Sequence, residues 1–433
     1  MGKSIQTLRE SKLFKGFIAT LLGSGASKCI LVIATFVSSN MLGKMAFGEM
    51  SFVRNTLNMI LCICALNFTS LCTKFTAEAE KSDESLQRLF LLFLFSIVIS
   101  FVLGILLLIL PNNVLLTFLS TETVVRFFKI IGVLLPLFIL QPLIEGVLRG
   151  LKLFNLIGLV QTLTSVVYLI FVIIGIKLGE LNGALIGVIL YYGVYSIVSL
   201  VLLYIKTPFK SQLYRLNGFR SQKNVLWTMI LPVFFMSFID APIMWLAQVI
   251  LSKAGSMESV GSMTAIMQVR NLAMLIPGYF TNTYLSFASE MNAEKKYSEY
   301  YAQFSKVERT YCLIGIICFL LLSLLAPLIL SLYGKEFSSD WPIMVVASAG
   351  IPMFMLISLY RMDLILKEHQ RYLLLISIIW NVIWIVLLLA MTKLDINPLL
   401  SFFVSHTVAS AVFVFALLGK YQKDRKRLKI VKS

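Results

Sequence analysis

The sequence predicts an all-α polytopic membrane protein with twelve transmembrane helices. Of its 433 residues, 58% are hydrophobic and only 14% are charged, and the mean hydropathy is +0.88. A membrane-spanning helix takes about 20 residues, so twelve helices use roughly 240 residues and leave only short connections. This composition excludes a protein built around a soluble catalytic domain.

Twelve apolar runs, each bounded by polar or charged residues, predict the individual helices, which we number spans 1 to 12. In the first half of the chain they lie at 16–39, 49–72, 89–110, 127–148, 155–176 and 183–205. In the second half they lie at 227–251, 261–284, 310–332, 342–363, 372–391 and 399–419. Span 1 is too long for a cleaved signal sequence, so we expect it to remain in the protein.

The basic residues predict the orientation of these spans. The N-terminus and the loops on one side of the membrane hold 28 Lys and Arg residues, the loops on the other side hold 6, and four lie inside spans. Because cytoplasmic loops carry an excess of Lys and Arg, both termini are expected in the cytoplasm. The net charge of +17 is therefore a topology signal, and we expect no nucleic-acid partner.

The two halves of the sequence repeat. A shift of 213 residues places Gly48 on Gly261, and a shift of 218 places Glu145 on Asp363. Six spans per repeat is an even number, so the two lobes are expected to share one orientation as a parallel repeat. The predicted organisation is an N-terminal lobe at 1–205, a basic cytoplasmic linker at 206–226, a C-terminal lobe at 227–419 and a basic cytoplasmic tail at 420–433.

Four basic side chains lie inside predicted spans: Lys28, Arg54, Lys129 and Arg270. An ionisable side chain at membrane depth costs several kcal/mol unless it faces protein or water, so each marks a candidate site. Lys129 lies only a few residues into span 4 and is expected to extend outward to the interface. The other three are candidates for substrate binding.

Lys28 is too deep in span 1 to reach the interface, at about 18 Å from the start of the helix. A shift of 212 maps it onto Asp240 in span 7, which Pro232 and Pro242 flank. The prolines predict a bent, partly hydrated helix there. One interpretation is that Asp240 senses protons or cations while Lys28 meets the substrate or that acid. The other is a buried ion pair that only locks the lobes together.

Arg54 in span 2 maps by the shift of 213 onto Met267, one helical turn from Arg270 in span 8. A guanidinium stays charged and offers paired donors that match phosphate oxygens. The pattern therefore predicts a clamp for a diphosphate. The alternative is that the two arginines pair separately with Glu49 and with backbone carbonyls.

Further polar residues are candidates for structural or recognition roles. The pairs Glu145 with Arg149 and Asp363 with Lys367 have the spacing of ordinary helical salt bridges. His406 in span 12 could relay protons, but a hydrogen bond beside Ser405 and Thr407 is favoured. Gln161, Thr164, Gln248 and Gln268 are polar candidates for recognition of a substrate in a cavity. No catalytic residue, metal ligand or cofactor is expected.

Three segments resemble the bacterial oligosaccharide-lipid flippases: NMLGKMAFGEMSFV after span 1, GVLRGLKLFNLIG between spans 4 and 5, and LAPLILSLYGKEFSSDWPIM between spans 9 and 10. That family includes the O-antigen flippases, within the superfamily of multidrug, oligosaccharidyl-lipid and polysaccharide exporters. The resemblance implies two six-helix lobes around a central cavity that opens alternately to each side. Lipid II flippases use basic residues on helices 1, 2 and 8, to which Lys28, Arg54 and Arg270 correspond by helix.

The function that the resemblance implies is movement of an undecaprenyl-diphosphate-linked oligosaccharide, such as an O-antigen unit of lipopolysaccharide, across the bacterial inner membrane. We expect coupling to an ion gradient and a functional monomer, with membrane lipids and other polysaccharide-assembly proteins as partners. A multidrug exporter is the alternative, although a cationic drug would avoid a basic cavity. A membrane glycosyltransferase or polymerase is a third, but its chemistry normally needs positioned acids or bases outside the bilayer, and the predicted periplasmic loops are short.

Overall fold

The structure is a computed structural model, and its described residues are almost entirely helical. They are 2–65, 68–79, 83–119, 121–206, 241–275, 296–367 and 369–430, with isolated positions between 227 and 291, and side chains are described only within 25–426. Asp240 and the predicted linker from residue 207 onward lie outside the described residues. The predictions made for them stay predictions.

The chain divides into two compact units. The first comprises Met1–Leu42 and Glu49–Val249, and the second comprises Gly43–Gly48 and Ile250–Ser433. The segment Gly43–Gly48 therefore belongs to the second unit, although the chain on either side of it belongs to the first. The backbone leaves helical geometry at Gly43, where φ is 75° and ψ is 172°.

The described part of the first unit contains seven helices and the start of an eighth. They are α1 Gly2–Cys64, α2 Thr69–Ala79, α3 Asp83–Ile109, α4 Asn112–Leu119, α5 Glu122–Phe138, α6 Leu140–Gly150, α7 Phe154–Lys206 and α8 Ala241–Ala254. Helix α7 is interrupted at Gly179 and Glu180, where the backbone is not helical. Helices α6 and α7 pack together, and α2 packs against both α3 and α6.

The described part of the second unit contains six helices and a 3-10 helix around an aromatic core. They are α9 Met257–Ala273, α10 Tyr297–Tyr333, a 3-10 helix at Lys335–Asp340, α11 Trp341–Ser348, α12 Ile351–Leu366, α13 Gln370–Lys393 and α14 Pro398–Ile430. Helix α14 packs against α9, α11, α12 and α13. Arg270 on α9 and His406 on α14 lie within this packing.

The described helices account for all twelve predicted spans. Eight helical stretches, two of which combine neighbouring numbered helices, are long and apolar enough to cross a membrane. Two of the eight, within α1 and α7, are interrupted in the middle, and each holds two predicted spans. Helices α8 and α9 overlap the two remaining spans. The prediction of an all-α polytopic membrane protein is confirmed.

The ends of several helices differ from the predicted ends. Helix α1 begins at Gly2 and α14 continues to Ile430, so the basic N-terminal residues and most of the predicted tail are helical. Lys, Arg, Gln and Leu favour helix in water, whereas hydropathy detects only the apolar part of a helix. Span 4 is divided into α5 and α6 near Pro136 and Pro142, because proline has no N–H to donate.

The segment Gly43–Gly48 is held in the second unit by charge and by aromatic packing. Lys44 Nζ lies 2.7 Å from Asp340 Oδ2, and the Lys44 backbone N–H donates to Glu336 Oε2 at 2.9 Å. The ring of Phe47 is fully buried, with its centroid 5.9 Å from that of Phe337 and 6.4 Å from that of Tyr333. This segment is therefore an integral part of that unit.

Gly48 permits a close backbone approach at the same place. A Cβ atom at Gly48 would lie 1.8 Å from the Met257 carbonyl oxygen and 3.1 Å from the Gly261 nitrogen. A larger side chain at position 48 would therefore force the two backbones apart. Gly48 and Gly261, which the repeat aligned in sequence, contact each other in space.

Candidate functional site

Arg270 lies in the last turn of α9 with only 6% of its surface exposed. Its guanidinium carbon is 4.6 Å from the centre of the Phe354 ring, Nη1 is 3.4 Å from His406 Nδ1, and Nη2 is 2.8 Å from Met267 Sδ. A thioether sulfur is only a weak hydrogen-bond acceptor. The guanidinium is thus enclosed by groups that carry no negative charge.

Among the residues that the structure describes, no carboxylate lies within salt-bridge distance of Arg270. Glu49, its proposed alternative partner, is buried in the first unit and accepts a hydrogen bond from Thr121 Oγ1 at 3.4 Å. A buried charge without a counter-ion costs several kcal/mol. Binding an anion at Arg270 would offset that cost.

His406 is the polar neighbour of Arg270, and it is 5% exposed. Its ring centroid lies 4.4 Å from that of Trp384 and 5.0 Å from that of Phe354. Because a guanidinium only donates hydrogen bonds, Nδ1 of His406 must be the acceptor. The sequence favoured a hydrogen-bonded histidine over a proton relay, and in the structure the partner of this hydrogen bond is Arg270 on a different helix.

Arg54 lies half-buried in the part of α1 that belongs to the first unit. Its Nη1 donates to the Tyr168 hydroxyl at 3.3 Å. The Tyr168 ring contacts Tyr191 at 5.0 Å, Tyr191 contacts Tyr192 at 5.0 Å, and the Tyr192 hydroxyl donates to Asn58 Oδ1 at 2.8 Å. Arg54 therefore lies at one end of a row of tyrosines.

Lys28 is exposed on α1. The adjacent Ser27 is buried and shares a 2.6 Å hydrogen bond with Ser165, which joins α1 to α7. The relation predicted between Lys28 and Asp240 stays a prediction because Asp240 is outside the described residues. Lys129 is half-buried in α5.

Both predicted ion pairs form at helix ends. Arg149 Nη2 is 2.5 Å from Glu145 Oε1 in α6, and Lys367 Nζ, just after α12, is 2.7 Å from Asp363 Oδ1. Their surroundings differ, because the Asp363 side chain is 1% exposed and the Arg149 side chain is 46% exposed. The sequence spacing identified the partners and gave no indication of this difference in burial.

The four polar residues that the sequence analysis named as candidates for substrate recognition each have a different environment. Gln161 Nε2 donates to Glu145 Oε1 at 3.1 Å, and Gln248 Oε1 accepts from Asn55 at 3.3 Å. The Thr164 hydroxyl donates to the carbonyl of its own helix. The Gln268 side-chain oxygen is buried without a hydrogen-bond partner among the described residues. Gln268 is two residues from Arg270 on the same helix.

Arg361 is a fifth basic residue inside a predicted span, because span 10 covers 342–363, although the count of Lys and Arg assigned it to a loop. It lies in α12, with its guanidinium carbon 5.3 Å from the centre of the Phe413 ring and 5.8 Å from that of Trp380. Its position near the end of an apolar run gave no signal of this depth. In the described part of the chain, no group of three or more His, Cys, Asp or Glu residues could hold a metal ion.

Solved structures of transporters share the fold. An inward-facing multidrug resistance MATE family transporter of the MOP superfamily matches with a TM-score of 0.77 and 14% identity, over 95% of this chain and 99% of that chain. A Vibrio cholerae MATE transporter matches with a TM-score of 0.65 and 15% identity, over 96% and 97% of the two chains. At these identities the likeness shows the fold alone.

A third structure comes from Pyrococcus furiosus, a MOP superfamily transporter described as having a binding pocket of reversed polarity that suggests a different function. It matches with a TM-score of 0.67 and 13% identity, over 98% of this chain and 96% of that chain. Comparison with curated proteins finds no match to the sequence.

A family model described as "Polysaccharide biosynthesis protein" matches residues 13–274, which is more than half of the chain. Two of the three segments that resemble oligosaccharide-lipid flippases lie within these residues. The solved structures, which are described as transporters of the MOP superfamily, share the helical fold of this chain. The chain therefore belongs to the polysaccharide biosynthesis protein family.

Proposed function

We propose that the protein is a flippase that moves an undecaprenyl-diphosphate-linked oligosaccharide, such as an O-antigen unit, from the cytoplasmic to the periplasmic leaflet of the bacterial inner membrane. Both termini are then cytoplasmic. The observation that supports this most strongly is Arg270, a buried guanidinium with no carboxylate partner among the described residues, in a member of a polysaccharide biosynthesis family.

The substrate's diphosphate suits such a site for two physical reasons. Its oxygens carry negative charge, which offsets the cost of a buried cation. They are also spaced to accept the paired N–H groups of a guanidinium. In this proposal Arg54 and Lys28 of the first unit bind the same anionic substrate, and Asp240 binds the coupling ion.

A multidrug exporter is the second candidate, because the similar solved structures include proteins described as multidrug transporters. The charges favour an anionic substrate over a cationic drug. The basic residues Lys28, Arg54 and Arg270 all lie within apolar helices, and Arg270 is buried among groups that carry no negative charge. A cationic drug would be repelled by these side chains.

The test is complementation of a deletion strain with variants at Arg270. Arg270→Ala should abolish surface glycan at normal protein abundance. Arg270→Lys should retain part of the glycan, because lysine keeps the positive charge but lacks the paired N–H donors of the guanidinium. The matched control is Arg88→Ala, which removes a half-buried arginine that forms a helical ion pair with Glu84 four residues earlier. Surface polysaccharide, protein abundance and the leaflet that holds the lipid-linked intermediate are measured.

The outcomes separate the candidate functions. A flippase mutant accumulates the intermediate in the cytoplasmic leaflet, whereas loss of a glycosyltransferase or polymerase changes the glycan itself. A drug exporter mutant changes drug susceptibility and leaves surface glycan intact. Wild-type glycan in the Arg270→Ala strain would overturn the proposed role of Arg270.

A further inference from the structure

The contact between Arg270 and His406 has a consequence for protonation. The chain has two histidines, His369 and His406. His369 lies beside the last turns of α14, with Nε2 3.2 Å from the carboxylate oxygen Oδ2 of Asp424. The His406 side chain has no carboxylate partner among the described residues, and the polar side chain that it contacts is that of Arg270. The two histidines are therefore in opposite electrostatic environments.

The hydrogen bond itself requires an uncharged His406. Nη1 of Arg270 donates to Nδ1, so Nδ1 cannot carry a hydrogen while this contact exists. A protonated imidazole would direct an N–H group at another N–H group, with two positive charges 3.4 Å apart. Without substrate, His406 is therefore neutral.

The other groups that face His406 do not change this conclusion. From α12 it is faced by Phe354, and from α13 by Trp380 and Trp384. From α9 it is faced by Arg270, and α11 contains no titratable side chain. Arg361 lies on Trp380 and adds a further positive charge nearby. All the described charges around His406 are positive.

A bound phosphate would reverse the sign of this environment. One of its oxygens could take the place of Met267 Sδ at Nη2 of Arg270, at little cost because the thioether is a weak acceptor. Met267 is half-buried and its side chain is flexible, so it can move aside. When the guanidinium turns to the phosphate, Nδ1 of His406 becomes free to bind a proton. The resulting N–H group can then donate a hydrogen bond to a phosphate oxygen.

We propose that Arg270 and His406 form one phosphate-binding pair, in which His406 takes up a proton from solution when the diphosphate of the substrate binds. This inference rests on the proposed function and adds His406 as a second ligand of the phosphate. The proton enters with the substrate, so binding weakens as pH rises. One linked proton corresponds to a change in the apparent Kd of up to about tenfold per pH unit.

The test is calorimetry on the full-length protein in nanodiscs, with farnesyl diphosphate as the probe. Binding is measured near pH 7 in two buffers of different ionisation enthalpy, which gives the number of protons taken up. The probe itself can bind protons, so the informative quantity is the difference between the wild-type protein and His406→Gln. We expect about one proton more for the wild type, in line with the one-proton linkage.

His369→Gln is the matched control, since it removes the other histidine of the chain and should leave proton uptake unchanged. The indole of Trp384 supplies a second readout, because its ring centroid lies 4.4 Å from that of His406 and a charged imidazole quenches indole fluorescence. The probe should lower fluorescence in the wild type and in His369→Gln, and much less in His406→Gln. His406→Asn serves in its place if the glutamine variant is poorly folded.

The outcomes for this inference and for the proposed function are distinct. If farnesyl diphosphate binds with equal proton uptake in the wild type and in His406→Gln, the role of His406 is overturned and the flippase proposal stands. If farnesol binds as tightly as farnesyl diphosphate, the phosphate has no site and both proposals are overturned. Proton uptake that depends on His406 and is lost in Arg270→Ala supports the pair.

Discussion

Two ion pairs with the same sequence spacing occupy opposite environments. Glu145 and Arg149 in the first unit, and Asp363 and Lys367 in the second, are both acid-to-base pairs four residues apart. The repeat aligns them, and both lie at the end of a helix. One pair is open to further polar partners, and the other is enclosed by aromatic rings.

The enclosed pair lies among three tyrosines. The Tyr300 hydroxyl donates a hydrogen bond to Asp363 Oδ1. Lys367 Nζ is 5.5 Å from the centre of the Tyr300 ring, 4.9 Å from that of Tyr301 and 5.2 Å from that of Tyr421. These rings exclude water, and their faces attract the ammonium group. Each charge of the pair therefore depends on the other charge and on the aromatic cage formed by Tyr300, Tyr301 and Tyr421.

The open pair has amide neighbours instead. Glu145 accepts from Gln141 at 3.3 Å and from Gln161 at 3.1 Å, in addition to Arg149. Loss of one donor leaves two others and access to water. The comparison teaches that helical spacing determines which residues pair, while the surrounding rings determine how much free energy depends on the pair.

The largest effect is expected from Lys367→Met, which leaves the Asp363 carboxylate buried without its counter-ion. Breaking a buried pair costs about 3–5 kcal/mol, so we expect a large loss of folded protein. Membrane abundance and the midpoint of thermal unfolding in detergent measure it. The double variant Lys367→Met with Asp363→Leu should recover much of the loss, since it removes both charges. If the double variant is no more stable than Lys367→Met, the aromatic cage requires the two charges themselves.

An intermediate effect is expected from Tyr300→Phe. This change removes the hydroxyl that donates to a buried carboxylate, a hydrogen bond worth about 1.5–3 kcal/mol, and retains the ring. Tyr301→Phe is the matched control, because the Tyr301 hydroxyl is buried and has no hydrogen-bond partner among the described residues. Thermal unfolding should distinguish the two variants. Equal losses would contradict the role of the Tyr300 hydroxyl.

The smallest effect is expected from Arg149→Ala. The side chain is 46% exposed, and exposed pairs contribute about 0–1 kcal/mol, so the unfolding midpoint should change little. Glu145 keeps its contacts with Gln141 and Gln161. A loss as large as that of Lys367→Met would show that the open pair is as essential as the enclosed one.

Hydropathy and spacing were sufficient for the fold and for part of the candidate site. The apolar runs gave the spans, and charge inside an apolar run singled out Arg270 as a candidate. Hydropathy and spacing could not predict that His406 contacts Arg270, because 136 residues separate the two and no periodicity connects α9 to α14. Such contacts are set by helix packing.

The aromatic cage was missed for a related reason. Tyr300 and Tyr301 precede the apolar run of span 9, so hydropathy placed them in a loop, whereas α10 begins at Tyr297. A helix that extends beyond the membrane is recognised from helix propensity and capping more readily than from hydropathy. The burial of Asp363 depends on these rings, so its environment could not be predicted without them.

The position of Gly43–Gly48 bears on how this protein could exchange parts with relatives. A hybrid of two homologous chains could be joined in the predicted linker that begins at residue 206, so that each half of the sequence comes from one parent. The first half would then bring its own version of residues 43–48, although this segment belongs to the second unit. Lys44 would then meet a foreign acid at position 340, and Gly48 a foreign backbone at 261. Hybrids should therefore work best when residues 43–48 come from the same parent as the second half.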